Sequence, residues 1–559
     1  MTGPMRRLGL YLNTVRWLRL SQLVWFVYRR LRPVINPAAI DLEESRSSIA
    51  GVAFVKGPQP QVNELRFLNV SRPADPATID WHPADVSRLW LYNLHYFDYL
   101  QWQAIPGADK SAYIESWIGA NPMGTEGAWE PYTVSLRIVN WIRYFSKYPG
   151  KVPREWQLSL INQVNWLGKN MENHILANHL LKNAKALVIA GAWFKGPRGK
   201  SFFKQGLDIF LNQIGEQFLA DGGHFERSPM YHNIALEDCL DVYNVLVALP
   251  ELAGAQSLAR IRDISLRALR FLDDTLAADG CIYLFNDAAH DIAPDPGLLI
   301  DYGQCLVEYE RAPTAARPVR ISKPDSGYYG YRHGNDSLLI DAGHIGPNYQ
   351  PGHAHCDTLS YEYCINGRRL IVDSGVYGYE DDAARNELRG TAAHNTLMVD
   401  GEEQSEIWST FRVARRARPH HVELSQIDAN RIIFSGSHDG YRRLPARITH
   451  TRSIEARIAQ GLSVSDSLTG SGSCQAESYI HFHPDAELIG CGPHEWAVIF
   501  NGEEQAVLTV SEDCSVRLDR AAYCPRFGVR LAGPVLVLSG EGPLPLVLGY
   551  RLDRRMTDA

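Results

Sequence analysis

Histidines and carboxylates able to bind a metal ion or to transfer protons are concentrated in residues 352–396. The set comprises His353, His355, Asp357, Asp373 and His394. Imidazole and carboxylate are the usual protein ligands of zinc-like ions. The flanking residues alternate between apolar and polar, which predicts strands, and side chains two apart on a strand point the same way. We therefore expect His353 and His355 side by side on one strand, with Asp373 and His394 completing a metal site from neighbouring strands.

These residue types leave two questions open. They do not decide which of His353 and His355 would be the ligand. The alternative is that the histidines are ordinary residues of a sheet, but a pair two apart followed by further ligand types favours a site.

A second polar group lies in a segment with helical periodicity, where Asn178-His179 follows Glu172-Asn173-His174. His174 and Asn178 are four residues apart, so they share a face if the helix is continuous between them. Such a pair can serve a site or can bond to the local backbone, as asparagine commonly does.

A turn follows at Gly222-Gly223, and Pro229 is expected to open the next helix. The side chains that this turn would present at the helix end are Glu226, Arg227, Tyr231 and His232. Because functional residues concentrate on loops and element ends, a polar cluster of this density indicates a binding or catalytic role.

Aromatic residues precede both groups. Trp129-Glu130-Pro131-Tyr132 is followed by Arg137 in a predicted helix. Further residues of this kind are Trp90, Tyr92, His95, Tyr96 and Tyr99. Aromatic side chains with polar tips suit a sugar-binding cleft and are equally common in a core, so both roles stay open.

Length and composition limit the class of protein. The chain has 559 residues, which is more than one hydrophobic core normally serves, so two or more domains are expected. Apolar residues make up 45% and charged residues 21%, as in ordinary globular proteins. Nine scattered cysteines without a CxxC pair indicate reduced thiols. A net charge of −7 gives no case for a nucleic-acid partner.

The apolar periodicity divides the chain into three regions. Residues 1–84 combine a basic helix with an irregular lead-in, residues 85–315 have helical periodicity, and residues 316–559 form short β-rich runs separated by turns. Asn366-Gly367 is typical of a hairpin turn. An all-helical half followed by an all-β half is an α+β, multidomain architecture.

The N-terminal region is basic. Residues 1–37 contain seven arginines and no acid, interleaved with apolar residues. The uncharged run Leu20–Tyr28 is too short to span a bilayer, and no signal-peptide cleavage site follows it. Such a helix either docks on the protein's own body with its arginines in solvent or lies on an anionic membrane surface. We expect a cytoplasmic or inner-membrane-associated protein, and a periplasmic one is not excluded.

Together these residues resemble the heparinase II/III-like family of polysaccharide lyases. The resemblance covers most of the chain after about residue 85. The motifs that carry it, in order, are Asn178-His179, Gly223–Tyr231, Gly352–His355, Asp373-Ser374-Gly375 and His394-Asn395-Thr396. The fold it implies is an incomplete (α/α) toroid followed by an antiparallel β-sandwich.

The resemblance also implies a chemistry, β-elimination at a uronic acid. Asn178 and His179 would bind the uronate carboxylate, which stabilises the enolate-like charge that develops when the C5 proton leaves. Tyr231 would be the general acid at the glycosidic oxygen, and in some members this tyrosine also removes the C5 proton. His353 would be the second catalytic residue, either the base or a neutraliser of the carboxylate.

A metal site and a substrate surface are implied as well. His355, Asp373 and His394 match the family's metal ligands, where zinc is mostly structural. A sandwich tyrosine takes part in some members, and Tyr377 and Tyr379 lie near the matching place. The residues predicted to bind an acidic polysaccharide or oligosaccharide substrate are Glu226, Arg227, Arg137 and Tyr379. Arg227, Arg385 and Arg389 could bind such a substrate or form surface ion pairs.

Two rival functions remain on the sequence alone. One is a glycoside hydrolase, which normally needs two carboxyl groups flanking the bond; the candidates are Glu130, Glu226 and Glu237, without a clear pair. The other is a non-catalytic glycan-binding member acting in capsule, exopolysaccharide or O-antigen assembly. The presence of Asn178, Tyr231 and His353 disfavours the second.

Overall fold

A computed structural model describes residues 4–31, 34–54, 64–311, 318–380 and 383–555. The predicted boundary between the two halves, at residues 315 and 316, lies outside the described residues. Arg32 lies outside them too, and so does the side chain of Arg6. All nine cysteines fall in the described ranges, and each is free.

Helices dominate the chain up to residue 307, and one short helix follows later. They are α1 Pro4–Val15, α2 Leu20–Leu31, α3 Arg88–Tyr96, α4 Gly107–Ala120, α5 Pro131–Phe145, α6 Arg154–Lys169, α7 Ala177–Trp193, α8 Pro197–Gln217, α9 Pro229–Ala248, α10 Ala255–Asp274, α11 Pro296–Val307 and α12 Ala383–Arg389. Apolar residues at three- and four-residue spacing give α10 one buried side, formed by Ile261, Ile264, Ala268 and Leu272. Buried residues of α3 to α11 form one core.

The segment that contains His174 and Asn178 is not one continuous helix. Helices α6 and α7 are separate, because residues 170–176 leave the helix and Leu176 and Ala177 have positive φ angles of 66° and 51°. Asn183 stabilises this break, since its side-chain oxygen accepts the Glu172 amide at 2.8 Å. Asn178 therefore lies in the first turn of α7 rather than in mid-helix.

Strands make up most of the chain after residue 318, following one short hairpin. They are β1 Glu64–Phe67, β2 Val70–Pro73, β3 Val319–Lys323, β4 Tyr328–His333, β5 Asp336–Asp341, β6 Tyr361–Ile365, β7 Arg368–Ile371, β8 Leu397–Val399, β9 Ile407–Trp408, β10 Arg412–Val413, β11 Pro419–Asp428, β12 Arg431–His438, β13 Thr449–Arg457, β14 Gly461–Thr469, β15 Ser473–His481, β16 Ala486–Gly492, β17 Glu495–Phe500, β18 Glu503–Val510, β19 Ser515–Tyr523, β20 Leu531–Pro543 and β21 Leu546–Arg554.

Three antiparallel sheets pack around one core in this half. Their strand orders are β3-β4-β5-β6-β7, β19-β20-β15-β8 and β11-β12-β13-β14-β21-β18-β17-β16. Alternate residues of β13 and β14 are buried, which gives each strand one core face and one outer face. The Tyr361 and Tyr550 hydroxyls meet at 2.6 Å and join β6 of the first sheet to β21 of the third. The toroid-plus-sandwich prediction is confirmed.

The turn and strand predictions near the histidines have different outcomes. Asn366-Gly367 does form the β6–β7 hairpin turn, with φ angles of 54° and 74°. The strand predicted for Gly352–Asp357 is wrong: the segment is an irregular connection between β5 and β6. Its backbone bonds to a loop and to α12, since the His353 carbonyl accepts the Asp287 amide at 3.0 Å and the Cys356 amide donates to the Arg389 carbonyl at 2.9 Å.

Helices α1 and α2 lie against both halves. The Trp408 indole donates to Thr14 Oγ at 3.0 Å, and Arg29 donates to the Met171 carbonyl at 3.1 Å. Among the helices within the described ranges, none combines the length and the apolar character needed to cross a membrane.

Candidate active site

Three rings from different parts of the chain meet where the two halves join. The Tyr231 ring in α9 stacks on the His353 ring with centroids 3.8 Å apart. The Tyr231 hydroxyl lies 3.1 Å from the Tyr379 hydroxyl. Tyr377, the other tyrosine considered, is exposed outside this contact. The structure thus brings together three of the predicted site residues.

The N-terminus of α9 fixes the position of Tyr231. Pro229 occupies the first turn, as predicted, and the Ser228 hydroxyl accepts the Tyr231 amide at 3.3 Å. The same hydroxyl donates to the Asp287 carbonyl at 2.6 Å. This cap therefore locks the first turn of α9 to the loop that carries Asp287.

Asn178 and Glu226 form a second buried contact. The Asn178 amide donates to both Glu226 carboxylate oxygens, at 3.0 and 3.2 Å, and its backbone N–H reaches one of them at 3.3 Å. The carboxylate lies at the N-terminus of α7, where helix amides are unsatisfied and favour negative charge. The other side of Glu226 faces His353, whose Nε2 lies 3.9 Å from Oε2.

His179 is held in place by an acid and lies beside an aromatic ring. Its Nδ1 lies 3.0 Å from Glu172 Oε1, and its ring centroid lies 4.6 Å from that of Tyr132. Burial would lower the pKa of His179, but the Glu172 carboxylate raises it above its usual range. The residue is therefore biased towards the cation, with Nε2 directed away from Glu172.

One carboxylate orients both histidines of the Gly352–Asp357 segment. Asp287 Oδ2 lies 2.9 Å from His353 Nδ1, and Oδ1 lies 2.8 Å from His355 Nε2. Asp287 is fully buried, and Arg385 binds both of its oxygens. The two side chains thus converge on one partner without the strand that was predicted to align them.

Asp287 was not predicted as a site residue, because it belongs to none of the motifs that point to the site. The available signal was a polar pair, Asn286-Asp287, inside the apolar run from Ile282 to Ala289. A polar pair in such a run is buried with it and must find partners. Asn286 does so as well, since its side chain accepts the His355 amide at 3.0 Å.

The three predicted metal ligands are buried close together. His394 Nδ1 lies 2.8 Å from Asp373 Oδ2, and the His355 and His394 rings have centroids 5.3 Å apart. His355 Nδ1 and His394 Nε2 are buried and have no hydrogen-bond partner. Each histidine thus has one nitrogen held by a carboxylate and one left over, which is the arrangement of metal-binding histidines.

The donor types therefore fit a zinc ion, but the set is not closed as a ligand cage. Asp373 is turned to His394 and to the Gly375 amide, at 3.2 Å. Within the described ranges, no three His, Cys, Asp or Glu side chains are grouped closely enough to hold a metal. The fit to zinc rests on the two imidazole nitrogens that have no hydrogen-bond partner. Asp373 contacts the other nitrogen of His394, so here it orients a ligand instead of binding the metal itself.

Both tyrosines of the site are held in the neutral form. Burial, followed by the neighbouring Tyr379 hydroxyl, raises the pKa of Tyr231 well above its usual value. Burial likewise raises the pKa of Tyr379, and the nearby Asp287 charge adds to it. A neutral phenol keeps a proton that it can donate.

The prediction that Arg137 binds substrate is wrong, and that for Arg227 stays a prediction. Arg137 is fully buried, lies 4.0 Å over the Trp117 ring and donates to the Ala128 carbonyl, so it belongs to the core of the toroid. Arg227 donates to the His344 and Asp325 carbonyls at 2.7 and 2.8 Å, which ties its loop to the β half.

The two further arginines are neither surface pairs nor free to meet a substrate. Arg385 is buried on Asp287. Arg389 is fully buried and donates to the Ala354 and Ser409 carbonyls, at 3.2 and 2.7 Å. Arg389 therefore holds the backbone around the site, and Arg385 holds Asp287. The spacing of these arginines in the sequence does not indicate that they are buried.

The carboxyl groups considered for hydrolysis all have partners in the structure. Glu130 binds Arg88 and Tyr92, at 2.7 and 2.8 Å. Glu237 faces Arg143 at 3.5 Å. Glu226 is held by Asn178, at 3.0 and 3.2 Å.

Comparison with known proteins gives two family matches that follow one another along the chain. Residues 77–254 match the heparinase II/III N-terminus, and residues 316–549 match the heparinase II/III-like C-terminal domain. Curated relatives include a heparin-sulfate lyase of Bacteroides stercoris, 24% identical over 348 residues, covering 55% of this chain and 49% of that protein. Another is a heparin-sulfate lyase of Pedobacter heparinus, 25% identical over 318 residues, covering 51% and 47%. The chain spans about half the length of the curated relatives it matches.

Solved structures share the fold. A crystal structure of heparinase III aligns over 95% of this chain and 89% of that one, with a TM-score of 0.70 and 18% identity. The heparinase III BT4657 gene product aligns over 85% and 80%, with a TM-score of 0.63 and 19% identity. The toroid, the sandwich and the two consecutive family matches together show that this chain belongs to the heparinase II/III-like family.

Proposed function

We propose that this protein is a polysaccharide lyase that cleaves a uronic-acid-containing polysaccharide by β-elimination. The observation that carries the proposal is the contact between Tyr231, His353 and Tyr379 at the junction of the two halves. It joins an acid and a base within one site, and Asn178 and His179 supply groups for a carboxylate beside it. The relatives named heparin-sulfate lyase support this class of reaction.

Neutralising the uronate carboxylate is the first requirement, because the C5 proton is too weakly acidic to leave otherwise. We assign this task to Asn178 and His179. The raised pKa of His179 favours the cation, which suits an anionic group, and the α7 N-terminus adds positive potential. The substrate carboxylate would share the donors that Glu226 uses in the free protein.

Removal of the C5 proton is assigned to His353. Its Nδ1 lies within hydrogen-bond distance of the Asp287 carboxylate. The Nδ1–H group therefore donates a hydrogen bond to Asp287, and the lone pair of Nε2 is left free to accept a proton. Burial would raise the pKa of Asp287, but Arg385 and the two histidines hold it well below its usual range. A permanently ionised partner stabilises the imidazolium that forms when His353 takes the proton.

Protonation of the leaving glycosidic oxygen is assigned to Tyr231. Its neutral phenol donates a proton to that oxygen as the C4–O4 bond breaks, and a C4–C5 double bond remains in the new non-reducing sugar. Tyr379 lies 3.1 Å from the Tyr231 hydroxyl and holds that hydroxyl in position for this step.

We also propose a structural zinc ion held by His355 and His394, with Asp373 as a ligand or as the partner of His394. A bound zinc would supply cross-linking between the β5–β6 connection and the segment before β8. It would thereby stabilise the segment that carries His353, while the proton transfers stay with His353 and Tyr231.

A panel of polysaccharides tests the reaction. Alginate, glycosaminoglycans and the surface polysaccharides of the source organism would be incubated with zinc-loaded protein, and ultraviolet absorbance of the new double bond would be followed. We expect absorbance to rise with at least one uronate polymer and with no neutral polymer. If all uronate polymers give no signal while the protein is folded and metallated, the lyase proposal fails.

A further inference from the structure

Helix α2 lies on the protein with its polar side inward. Gln22 is the buried residue of this helix and donates to the Tyr349 carbonyl at 3.3 Å. Arg29, seven residues later on the same side, donates to the Met171 carbonyl at 3.1 Å. A surface helix normally buries its apolar side against the core. The orientation of α2 is the reverse.

The outward side of α2 is a continuous apolar stripe. Leu20, Val24, Val27 and Leu31 follow one another at spacings of four, three and four residues, which places them on one helix face. Their exposed fractions lie between 56% and 78%. No described part of the chain covers this stripe.

Helix α1 repeats the arrangement. Thr14 bonds to the Trp408 indole on the inner side. Met5, Leu8, Leu12 and Val15 share the outer side, with exposed fractions between 45% and 87%. We call these four residues and the four of α2 the N-terminal apolar face. Exposed apolar stripes of this kind mark a surface that is covered by another molecule.

The positive charge around this face indicates which kind of molecule would cover it. Residues 1–40 contain seven arginines and no acid, and Arg7, Arg16 and Arg30 are exposed beside the apolar residues. A second copy of the chain would bring like charges together across the contact, which is unfavourable. An anionic lipid surface offers apolar tails for the stripe and negative headgroups for the arginines.

We propose that the N-terminal apolar face binds the surface of a membrane that contains anionic lipids. Both helices would lie parallel to the surface with their polar sides still on the protein. The site would then lie near the lipid, since Tyr349, which contacts Arg19 and Gln22, packs against Ala177 and Phe225 next to Asn178 and Glu226. The binding itself does not depend on the proposed reaction.

Co-sedimentation of the full chain with vesicles tests the proposal. Vesicles of phosphatidylglycerol mixed with phosphatidylcholine would be compared with vesicles of phosphatidylcholine alone, at low and high salt. We expect binding to the anionic vesicles that weakens as salt rises. The double variant Arg16→Gln/Arg30→Gln should lower the partition coefficient about 25-fold, since each arginine near an anionic surface contributes about fivefold.

Apolar variants separate the stripe from general charge attraction. Val24→Asp/Val27→Asp should abolish binding to the anionic vesicles. The matched control is Ile489→Asp/Val547→Asp, which changes two exposed apolar residues of the sandwich and should leave binding unchanged. Circular dichroism would confirm that each variant is folded, and the arginine variant provides the test if an aspartate variant is not.

Three results would overturn the proposal. One is failure of the unaltered protein to bind anionic vesicles at low salt. Another is equal binding by the unaltered protein and the Val24→Asp/Val27→Asp variant. The third is a dimer, seen by analytical ultracentrifugation, that this variant dissociates while vesicles remain unbound; a second copy would then cover the face.

Discussion

The Asp287 carboxylate lies 2.9 Å from Nδ1 of His353. Its other oxygen lies 2.8 Å from Nε2 of His355, so one buried acid sets the free nitrogen of each ring. His353 is left with Nε2 on the side of Glu226, and His355 is left with a buried Nδ1 that has no hydrogen-bond partner. Asp287 therefore links the proposed base, His353, to the proposed metal ligand, His355, although Asp287 itself neither takes the proton nor binds the metal.

Replacing Asp287 with asparagine should damage both functions. The amide cannot accept from both rings, and Arg385 loses its buried counter-ion. We expect turnover to fall by about 10⁴-fold, as when the acid that orients a catalytic imidazole is replaced by its amide. The free energy of unfolding should fall by about 3–5 kcal/mol. Steady-state kinetics and urea denaturation measure the two effects.

Asp325→Asn, at an exposed position of the neighbouring loop, is the matched control for Asp287→Asn and should change neither quantity. Turnover by Asp287→Asn within threefold of the unaltered protein would show that His353 does not need this partner.

Removing the Tyr231 hydroxyl tests the proposed acid. Tyr231→Phe keeps the ring on His353 and loses one hydrogen bond, so stability should change by only about 1 kcal/mol. Turnover should fall by about 10²–10⁴-fold, the usual contribution of general acid catalysis. Tyr377→Phe, on an exposed tyrosine two residues from Tyr379, should retain full activity. Equal activity of the two variants would remove Tyr231 from the mechanism.

The two neighbouring histidines should differ in what their loss does. His355→Ala should lower zinc content, measured by mass spectrometry of the metal, and should lower the melting temperature, because metal binding is coupled to folding. His353→Ala should retain the metal and the melting temperature while losing turnover. If His355→Ala instead keeps its metal and His353→Ala loses it, the assignment of the two residues is reversed.

The pH dependence should report on His179. Its pKa is raised above its usual value in the folded protein, so the cation that binds the uronate carboxylate is present below that raised pKa and is lost as pH rises through it. We expect KM to increase as pH rises through this pKa. The contribution of the His179–Glu172 pair to stability should be lost over the same range, since it is fully present only below the unfolded pKa.

His179→Gln removes the titrating group and should give a KM that is higher throughout and independent of pH in this range. A pH profile of KM that is the same for the variant and the unaltered protein would assign the titration to another group.

The architecture could be predicted because hydrophobic periodicity changes from helical to alternating near the middle of the chain. Local geometry could not. The break before Asn178 depends on a buried bond from Asn183 to the Glu172 amide, which leaves no trace in periodicity. The strand predicted for His353 and His355 does not exist, and long-range contacts of Asp287 align the rings instead.

The site residues could be predicted where they fall in short motifs, and not where they act through distant partners. Tyr231 and His353 do meet, at a distance that no spacing in sequence fixes. Arg137 was wrongly predicted to bind substrate. It is buried on the Trp117 ring, and its neighbours in sequence do not distinguish this position from an arginine that lines a substrate cleft. Asp287 could not be predicted, because its role depends on four side-chain contacts with residues distant in sequence. Two of these contacts are with Arg385, and the others are with His353 and His355.

The most direct test of β-elimination is the fate of water oxygen in the product. The protein would digest its uronate polymer in water enriched in the heavy isotope of oxygen, and the masses of the fragments would be measured by mass spectrometry. The lyase account predicts fragments that carry an unsaturated uronate, contain no heavy oxygen from cleavage, and are absent with Tyr231→Phe. Fragments that gain one heavy oxygen at each cut and lack the double bond would show hydrolysis and contradict the account.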